Sequence, residues 1–424
     1  MRYLSAEEAL QPIQNGDHIH WPCVSAVPEH LVKALVERVA YNTLKDIHIS
    51  HFYTEGYSDY TLPEYQGLIH LDSFFVGANV RKATNEGRAG TIPCSLSEVP
   101  RMIESGAIRS DVVLLMVSEP DENGYVSLGT SCDYMREAMK AARYIVAQVN
   151  RYVPYTYGDT RINISEIDAL VHYDQPLNEA GSMPLSETDK MIGRHTAELI
   201  PDGATLQVGI GNIPSAVLAQ LKDHKHLGIH SEMISDDVVD LYNTGAIDGS
   251  KKKTDPGKMV AMFLKGSSKL YNFVDHNKEV MINSVAYTNN PFNIAQNPNV
   301  IALNSAIEID LTGQVCADSI GTKIFSGSGG QLDFMIGATY SEGGKPIIAM
   351  PSITGKGASK IVPTLTQGAG VVTPRTLTQW VVTEQGAVNL YAKPIHERAR
   401  LLISIAHPSQ QETLERQARE LGIL

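Results

Sequence analysis

The sequence has little cysteine, no excess of basic residues and no long apolar run, and each shortage excludes a class of protein. Its four cysteines, Cys23, Cys94, Cys132 and Cys316, are scattered through 424 residues. With no CxxC pair and no histidine spaced as a partner ligand, neither a zinc knuckle nor a disulfide framework is expected, and a reducing cytoplasm fits best. Lys and Arg number 35 against 47 Asp and Glu, a formal charge of −12. Such a surface repels phosphate backbones, so nucleic acid is not an expected partner. Apolar runs such as Val112–Val117 are too short to span a bilayer. The N-terminal Met1-Arg2-Tyr3-Leu4-Ser5-Ala6-Glu7-Glu8 lacks the basic-then-apolar order of a signal peptide, and no membrane or export role is expected. The fourteen histidines include no HExxH and no paired-ligand spacing. His18 and His20 alternate as along one strand face, so no metal is expected. A GxSxG elbow is missing, which disfavours a serine hydrolase, and Cys132 has no base nearby in sequence.

What is present is an ordinary globular mixture, 43% apolar and 19% charged, long enough for two or three domains at roughly 100–200 residues each. Short Val/Ile/Leu runs recur between stretches of helical period: Ile47–Ser50, Val112–Val117, Tyr144–Val149, Leu206–Ile210, Val300–Leu303 and Pro346–Met350. This alternation predicts an α/β fold with largely parallel, doubly covered sheets. Helices are expected over Ser25–Ala40, with Pro28 in the first turn, and over Pro214–Leu221, opened by Asn212.

The chain also repeats itself. Gly16-Asp-His-Ile-His-Trp, then Pro28 and Leu31, resembles Gly203-Ala-Thr-Leu-Gln-Val, then Pro214 and Leu218, at offsets of 187 and 186. Further on, Glu119, Asp121, Gly124 and Val126 match Glu308, Asp310, Gly313 and Val315 at a constant offset of 189. Ordered anchors at nearly one offset point to duplication. The expected domains are 1–180 and 181–424, divided in the polar stretch Asn178–Leu185.

Three constellations could carry chemistry. In Val208-Gly209-Ile210-Gly211-Asn212-Ile213-Pro214 a strand meets two glycines and a helix start. Such a turn offers backbone N–H groups and the positive end of a helix to a phosphate or oxyanion, although many strand-to-helix turns need glycine for geometry alone. About twenty residues on lies His230-Ser231-Glu232-Met233-Ile234. At the carboxyl end of the next parallel strand, Glu232 would stand beside that turn, either as a nucleophile towards an activated acyl group or as a solvated residue at a helix start. The third is Phe325-Ser-Gly327-Ser-Gly329-Gly330-Gln-Leu-Asp333-Phe, with Gly355-Lys356-Gly357 downstream. It reads as a donor array with a phosphate-seeking cation, or as a structural hairpin with a solvated lysine.

Taken together, the chain resembles the family I CoA-transferases, in the 4-hydroxybutyrate and butyryl-CoA:acetate branch of the acetyl-CoA hydrolase/transferase group. The resemblance rests on Gly209-Ile-Gly211-Asn-Ile-Pro214, His230-Ser-Glu232-Met, Gly327-Ser-Gly329-Gly330-Gln-Leu-Asp333-Phe, Gly343-Gly344-Lys345-Pro-Ile-Ile, Val371-Val-Thr-Pro-Arg375 and Val381-Val-Thr-Glu384-Gln-Gly386. It implies two duplicated α/β domains and transfer of CoA from a short-chain acyl-CoA to a carboxylate such as acetate, by ping-pong through a glutamyl-CoA thioester on Glu232. CoA would be a substrate and transient covalent adduct, with no permanently bound cofactor and no metal. By the same resemblance CoA is held by Gly209, Ile210, Gly211, Asn212 and Ile213, with Gly330 and Lys356 around it and Ile307 against the pantetheine arm. A homo-oligomer is also implied. Asp237 departs from the pattern, since relatives commonly carry Gly after Ser-Asp. The nearest alternative is an acyl-CoA hydrolase on the same scaffold; a CoA-sensing protein without turnover would have no use for Glu232.

Overall fold

A computed structural model describes residues 2–181 and 184–424. Of the expected linker Asn178–Leu185, Ser182 and Met183 lie outside the described residues. The chain divides into two compact units. The first comprises Met1–Gly181, Val260–Thr288 and Ile324–Gly329, and the second Ser182–Met259, Asn289–Lys323 and Gly330–Leu424.

The first unit is built on a seven-stranded sheet in the spatial order Ala169–His172, Tyr144–Val149, Val112–Val117, His18–His20, Ile47–Ser50, Ile69–Ser73 and Gly90–Thr91. Every neighbouring pair is parallel. All six residues of Val112–Val117 are buried, as expected of a strand covered on both faces, where an unbroken apolar run replaces alternation. Helix Glu29–Ala40 buries Leu31, Val32, Leu35, Val36 and Val39, a 3.6-residue stripe that joins Ile19, Ile47, Ile49, Ile69 and Leu71 in one core. This helix starts four residues later than the expected Ser25. Ala26 N–H bonds back to the Cys23 carbonyl at 3.0 Å, so Ser25 lies inside a turn, and Pro28 disfavours helical backbone in the residue before it.

The second unit has a six-stranded sheet ordered Gly228–Ile229, Thr205–Val208, Val300–Asn304, Lys345–Ala349, Trp380–Thr383 and Gly386–Asn389. It is parallel except for the last, antiparallel pair. Its core gathers Val300, Ala302, Ile348 and Val381 from the sheet with Phe334, Met335 and Ala338 from helix Gln331–Tyr340. The strand expected over Leu206–Ile210 ends at Val208, because the chain bends at Ile210 and Gly211.

The repeat in the sequence has a counterpart in hydrogen bonding. Asp121 Oδ1 accepts the N–H groups of Asn123 and Tyr125, each at 2.9 Å. Asp310 Oδ1 accepts those of Thr312 at 2.9 Å and Gln314 at 3.0 Å. In each copy the glycine three residues after the aspartate has positive φ, +76° at Gly124 and +97° at Gly313. One carboxylate satisfies two backbone donors of a tight turn, which is why Asp and Gly hold their places in both copies.

The first unit buries two neutral imidazoles. His20 lies against Tyr134 Oη at 3.1 Å and the Arg109 carbonyl at 2.8 Å. His51 contacts the Phe52 carbonyl at 2.6 Å and Tyr60 Oη at 3.1 Å. Burial pushes both down to about 4, whereas an unfolded chain titrates them near 6.5. Below pH ~6.5 the unfolded state therefore binds protons that the folded state refuses. Stability should fall on acidification towards pH ~4, by up to about 1.4 kcal/mol per pH unit for each histidine. Asp133, raised to about 6 by burial, offsets about one histidine below that pH. Urea unfolding from pH 4 to 7 should show the acid loss, and His51→Gln should flatten it. An unchanged pH slope in the variant would contradict this account.

Candidate active site

The site grows from the carboxyl edge of the second unit's sheet. After Thr205–Val208 the chain runs through Gly209, Ile210 and Gly211 into helix Asn212–Gln220. Gly211 has φ +118°, a backbone state that L side chains rarely adopt. A Cβ built at Gly209 or Gly211 meets nothing within 4 Å, and Ile210 is 48% exposed. The backbone of this turn thus faces open space at the positive end of a helix. Side chains just beyond are engaged within the fold: Asn212 Nδ2 donates to Asp189 at 3.1 Å and Ile213 is buried.

Backbone and hydroxyl bonds then bring Glu232 to the same edge. His230 N–H bonds to the Leu206 carbonyl at 3.1 Å. Ser231 Oγ accepts the Val208 N–H at 3.2 Å and donates to the Val208 carbonyl at 3.0 Å, a two-point clamp immediately before Gly209. Lys252, buried along Gly228, donates from Nζ to the carbonyls of Ile229 at 3.0 Å and Lys258 at 2.7 Å. Desolvation lowers this ammonium to about 8, and the two carbonyls compensate its burial while pinning the strand that leads to Glu232.

The Glu232 carboxylate is half-buried and accepts a 3.1 Å hydrogen bond at Oε2 from Asn289 Nδ2. Asn289 is fully buried, and its own Oδ1 has no hydrogen-bond partner among the described residues. On the other side stands Gly330, the N-cap of helix Gln331–Tyr340. A Cβ there would collide with both Glu232 Oε2 and Asn289 Nδ2. The glycine is required for close approach and not for its backbone angle, and it sets the positive end of the helix beside the carboxylate.

Of the expected site residues, Glu232 and Gly330 are thus in contact, and Gly209–Ile213 adjoin them through the Ser231–Val208 clamp. Ile307 is half-buried, its N–H on the Cys316 carbonyl at 2.8 Å, and Lys356 is exposed at a loop tip. Neither makes a described contact with Glu232. Asp237 lies in the first turn of helix Asp236–Asn243 and accepts a 2.6 Å bond from Ser215 Oγ, tying that helix to Asn212–Gln220. Asn289 and Lys252 were not legible beforehand. Asn289 precedes Asn290-Pro291, where asparagine reads as a helix cap, and Lys252 stands in a Lys-Lys-Lys run that reads as solvated surface.

The first unit holds a sealed version of the turn. Val24 has φ +50°, but the Cys23 N–H is taken by Asp133 Oδ2 at 2.6 Å, and Cys23, Ser131 and Asp133 are all buried. Cys132 beside them is fully buried, its thiol pushed well up by desolvation and by Asp159, Glu137 and Asp133. It is no thiolate nucleophile.

Similarity to known proteins shows the family. The acetyl-CoA hydrolase/transferase N-terminal domain matches residues 1–178 and its C-terminal domain residues 266–418. The chain belongs to the acetyl-CoA hydrolase/transferase family. Within this family it is 46% identical to a succinyl-CoA:acetate/propanoyl-CoA:succinate CoA transferase of Fasciola hepatica, over 98% of this chain and 87% of that protein. It is 45% identical to a 4-hydroxybutyrate coenzyme A transferase of Clostridium kluyveri, over 97% and 96%. The crystal structure of RipA from Yersinia pestis superposes with a TM-score of 0.94 at 34% identity, covering 100% of this chain and 98% of that one.

Shared space between Gly330 and Glu232 should appear as coupling in this family member. Gly330→Ala should destabilise by about 1–3 kcal/mol through overpacking. In a Glu232→Ala background that loss should shrink by at least about 0.5 kcal/mol. Strictly additive losses in chemical unfolding would show that the two residues do not compete for one volume.

Proposed function

We propose that this chain is a CoA-transferase that moves CoA from a short-chain acyl-CoA, of 4-hydroxybutyryl or butyryl type, to a carboxylate such as acetate. The observation that carries the reading is the Glu232 carboxylate, seated between the Asn289 amide and Gly330 beside a glycine turn open to a ligand. Relatives named as CoA transferases at 45–46% identity support the reaction class.

In this reading a Glu232 oxygen attacks the thioester carbonyl, the C–S bond breaks, and CoA leaves as a thiolate to give an acyl-glutamyl anhydride. The thiolate then attacks the glutamyl carbonyl. The acyl group departs as its carboxylate, leaving an enzyme–CoA thioester, and an incoming carboxylate runs the two steps in reverse. No water enters, so the thioester's free energy is conserved. Each tetrahedral intermediate needs a donor for its oxyanion. Asn289 Nδ2, already on Oε2, is placed to follow the glutamyl oxygen, and the turn at Gly209, Ile210, Gly211, Asn212 and Ile213 offers N–H groups to the CoA moiety. Gly330 shapes the carboxylate's seat, while Lys356 and Ile307 serve as outlying contacts of CoA. CoA acts here as substrate and transient adduct, in the C-terminal domain, 181–424.

Acyl-CoA without acceptor should leave CoA on the peptide containing His230–Met233. That adduct should be released by hydroxylamine, quenched by borohydride and absent in Glu232→Gln. An adduct at another residue, or full turnover with none, would overturn the mechanism. Double-reciprocal plots for acyl-CoA against acetate should be parallel, whereas rapid CoA release without acceptor would identify a hydrolase.

Gly209→Ala separates binding from folding. The added methyl meets open space, so stability should hold or rise by up to about 1 kcal/mol. If CoA approaches that backbone, KM for acyl-CoA should rise by about tenfold or more, ~1.4 kcal/mol. Unchanged KM in a fully folded variant would remove the turn from the CoA site.

A further inference from the structure

Three parallel strands of the first unit carry histidines in register, His18 opposite His48 and His48 opposite His70. Parallel pairing sets such side chains on one face at the inter-strand spacing of about 4.8 Å, and the rings of His48 and His70 stack with centroids 4.8 Å apart. Asp46, one residue before strand Ile47–Ser50, has φ +59°, and its carbonyl accepts the Gly16 N–H at 3.0 Å. This bend turns its carboxylate onto the two rings. Asp46 Oδ1 stands 3.4 Å from His48 Nε2 and 3.4 Å from His70 Nε2, and all three donor atoms lie within 4.8 Å of one another.

A separation of 3.4 Å is long for an N–H···O hydrogen bond, which centres near 2.9 Å. It suits a metal polyhedron: donors each about 2.0–2.1 Å from a tetrahedral ion stand about 3.4 Å apart. We propose that Asp46, His48 and His70 form a binding site for a divalent transition-metal ion such as Zn²⁺, with water completing the coordination. Two imidazoles and a single carboxylate select zinc, cobalt, nickel or copper over Mg²⁺ and Ca²⁺, which prefer oxygen-rich sets. The rings are about 40% exposed, so a small rotation closes the Nε2–Nε2 gap and an ion enters directly from solvent. Bound there, the ion would staple two adjacent strands. The ligands are hidden in the sequence because His48 and His70 are 22 residues apart and meet only through strand register.

The test is calorimetric titration of the metal-stripped full-length protein with Zn²⁺, alongside thermal melts with Zn²⁺ or Mg²⁺. Saturable one-to-one binding is expected, with a rise in melting temperature given by Zn²⁺ and not by Mg²⁺. His70→Gln and Asp46→Asn should each weaken binding by at least about tenfold and abolish the rise. Co²⁺ in place of Zn²⁺ should give visible d–d bands that vanish in His48→Gln. Absence of saturable binding in the unmodified protein would overturn the site whatever the variants do. Equal binding by folded His70→Gln would place the ion elsewhere and overturn it too.

Discussion

The arrangement around Glu232 in the second unit rests on the volume that residue 330 leaves empty. A carboxylate, a buried amide and the first turn of a helix converge on a point where any Cβ would collide with two of them. The glycine thus leaves the volume that the Glu232 carboxylate and the Asn289 amide fill. Two further supports act on the backbone that leads to Glu232. The Ser231 hydroxyl spans both polar groups of Val208, and the Lys252 ammonium holds the Ile229 carbonyl. Fixing the strand beneath it thus helps to set the position of Glu232.

Duplication supplied two strand-to-helix turns, and the fold treats them differently. In the first unit a buried aspartate occupies the turn's backbone donor, and the cluster of Cys23, Ser131 and Asp133 is closed to solvent. In the second the corresponding backbone faces open space, with Gly211 at φ +118° where Val24 of the first unit has φ +50°. The N–H groups of such a turn need an acceptor. One copy carries it internally, whereas the other turn stands open. The turns at Asp121 and Asp310 share one hydrogen-bond pattern.

Polar burial elsewhere in the second unit follows the same rule of local compensation. Glu384 accepts both the N–H of Ser352, at 2.9 Å, and its hydroxyl, joining the ends of two neighbouring strand segments. Lys360 beside it is lowered to about 8 by desolvation, against the attraction of Glu384. These groups brace the ends of strands Lys345–Ala349 and Trp380–Thr383.

Much of the protein was legible in one dimension. Unbroken Val/Ile/Leu runs separated by helical periods specify parallel sheets, because strands covered on both faces have no polar side to show, and Val112–Val117 and Tyr144–Val149 lie as expected. Gly209 and Gly211 marked a turn, whereas Glu232 by itself also read as a solvated residue at a helix start and stood out through the family resemblance. What no linear reading could supply were the partners. Asn289 reaches Glu232 across 57 residues, Lys252 leaves a basic run to enter the interior, and His48 and His70 meet through register. Residue type and spacing carry backbone preference, which is local. Which side chains share a volume is decided only when distant segments pack, and at Gly330 that packing places the carboxylate.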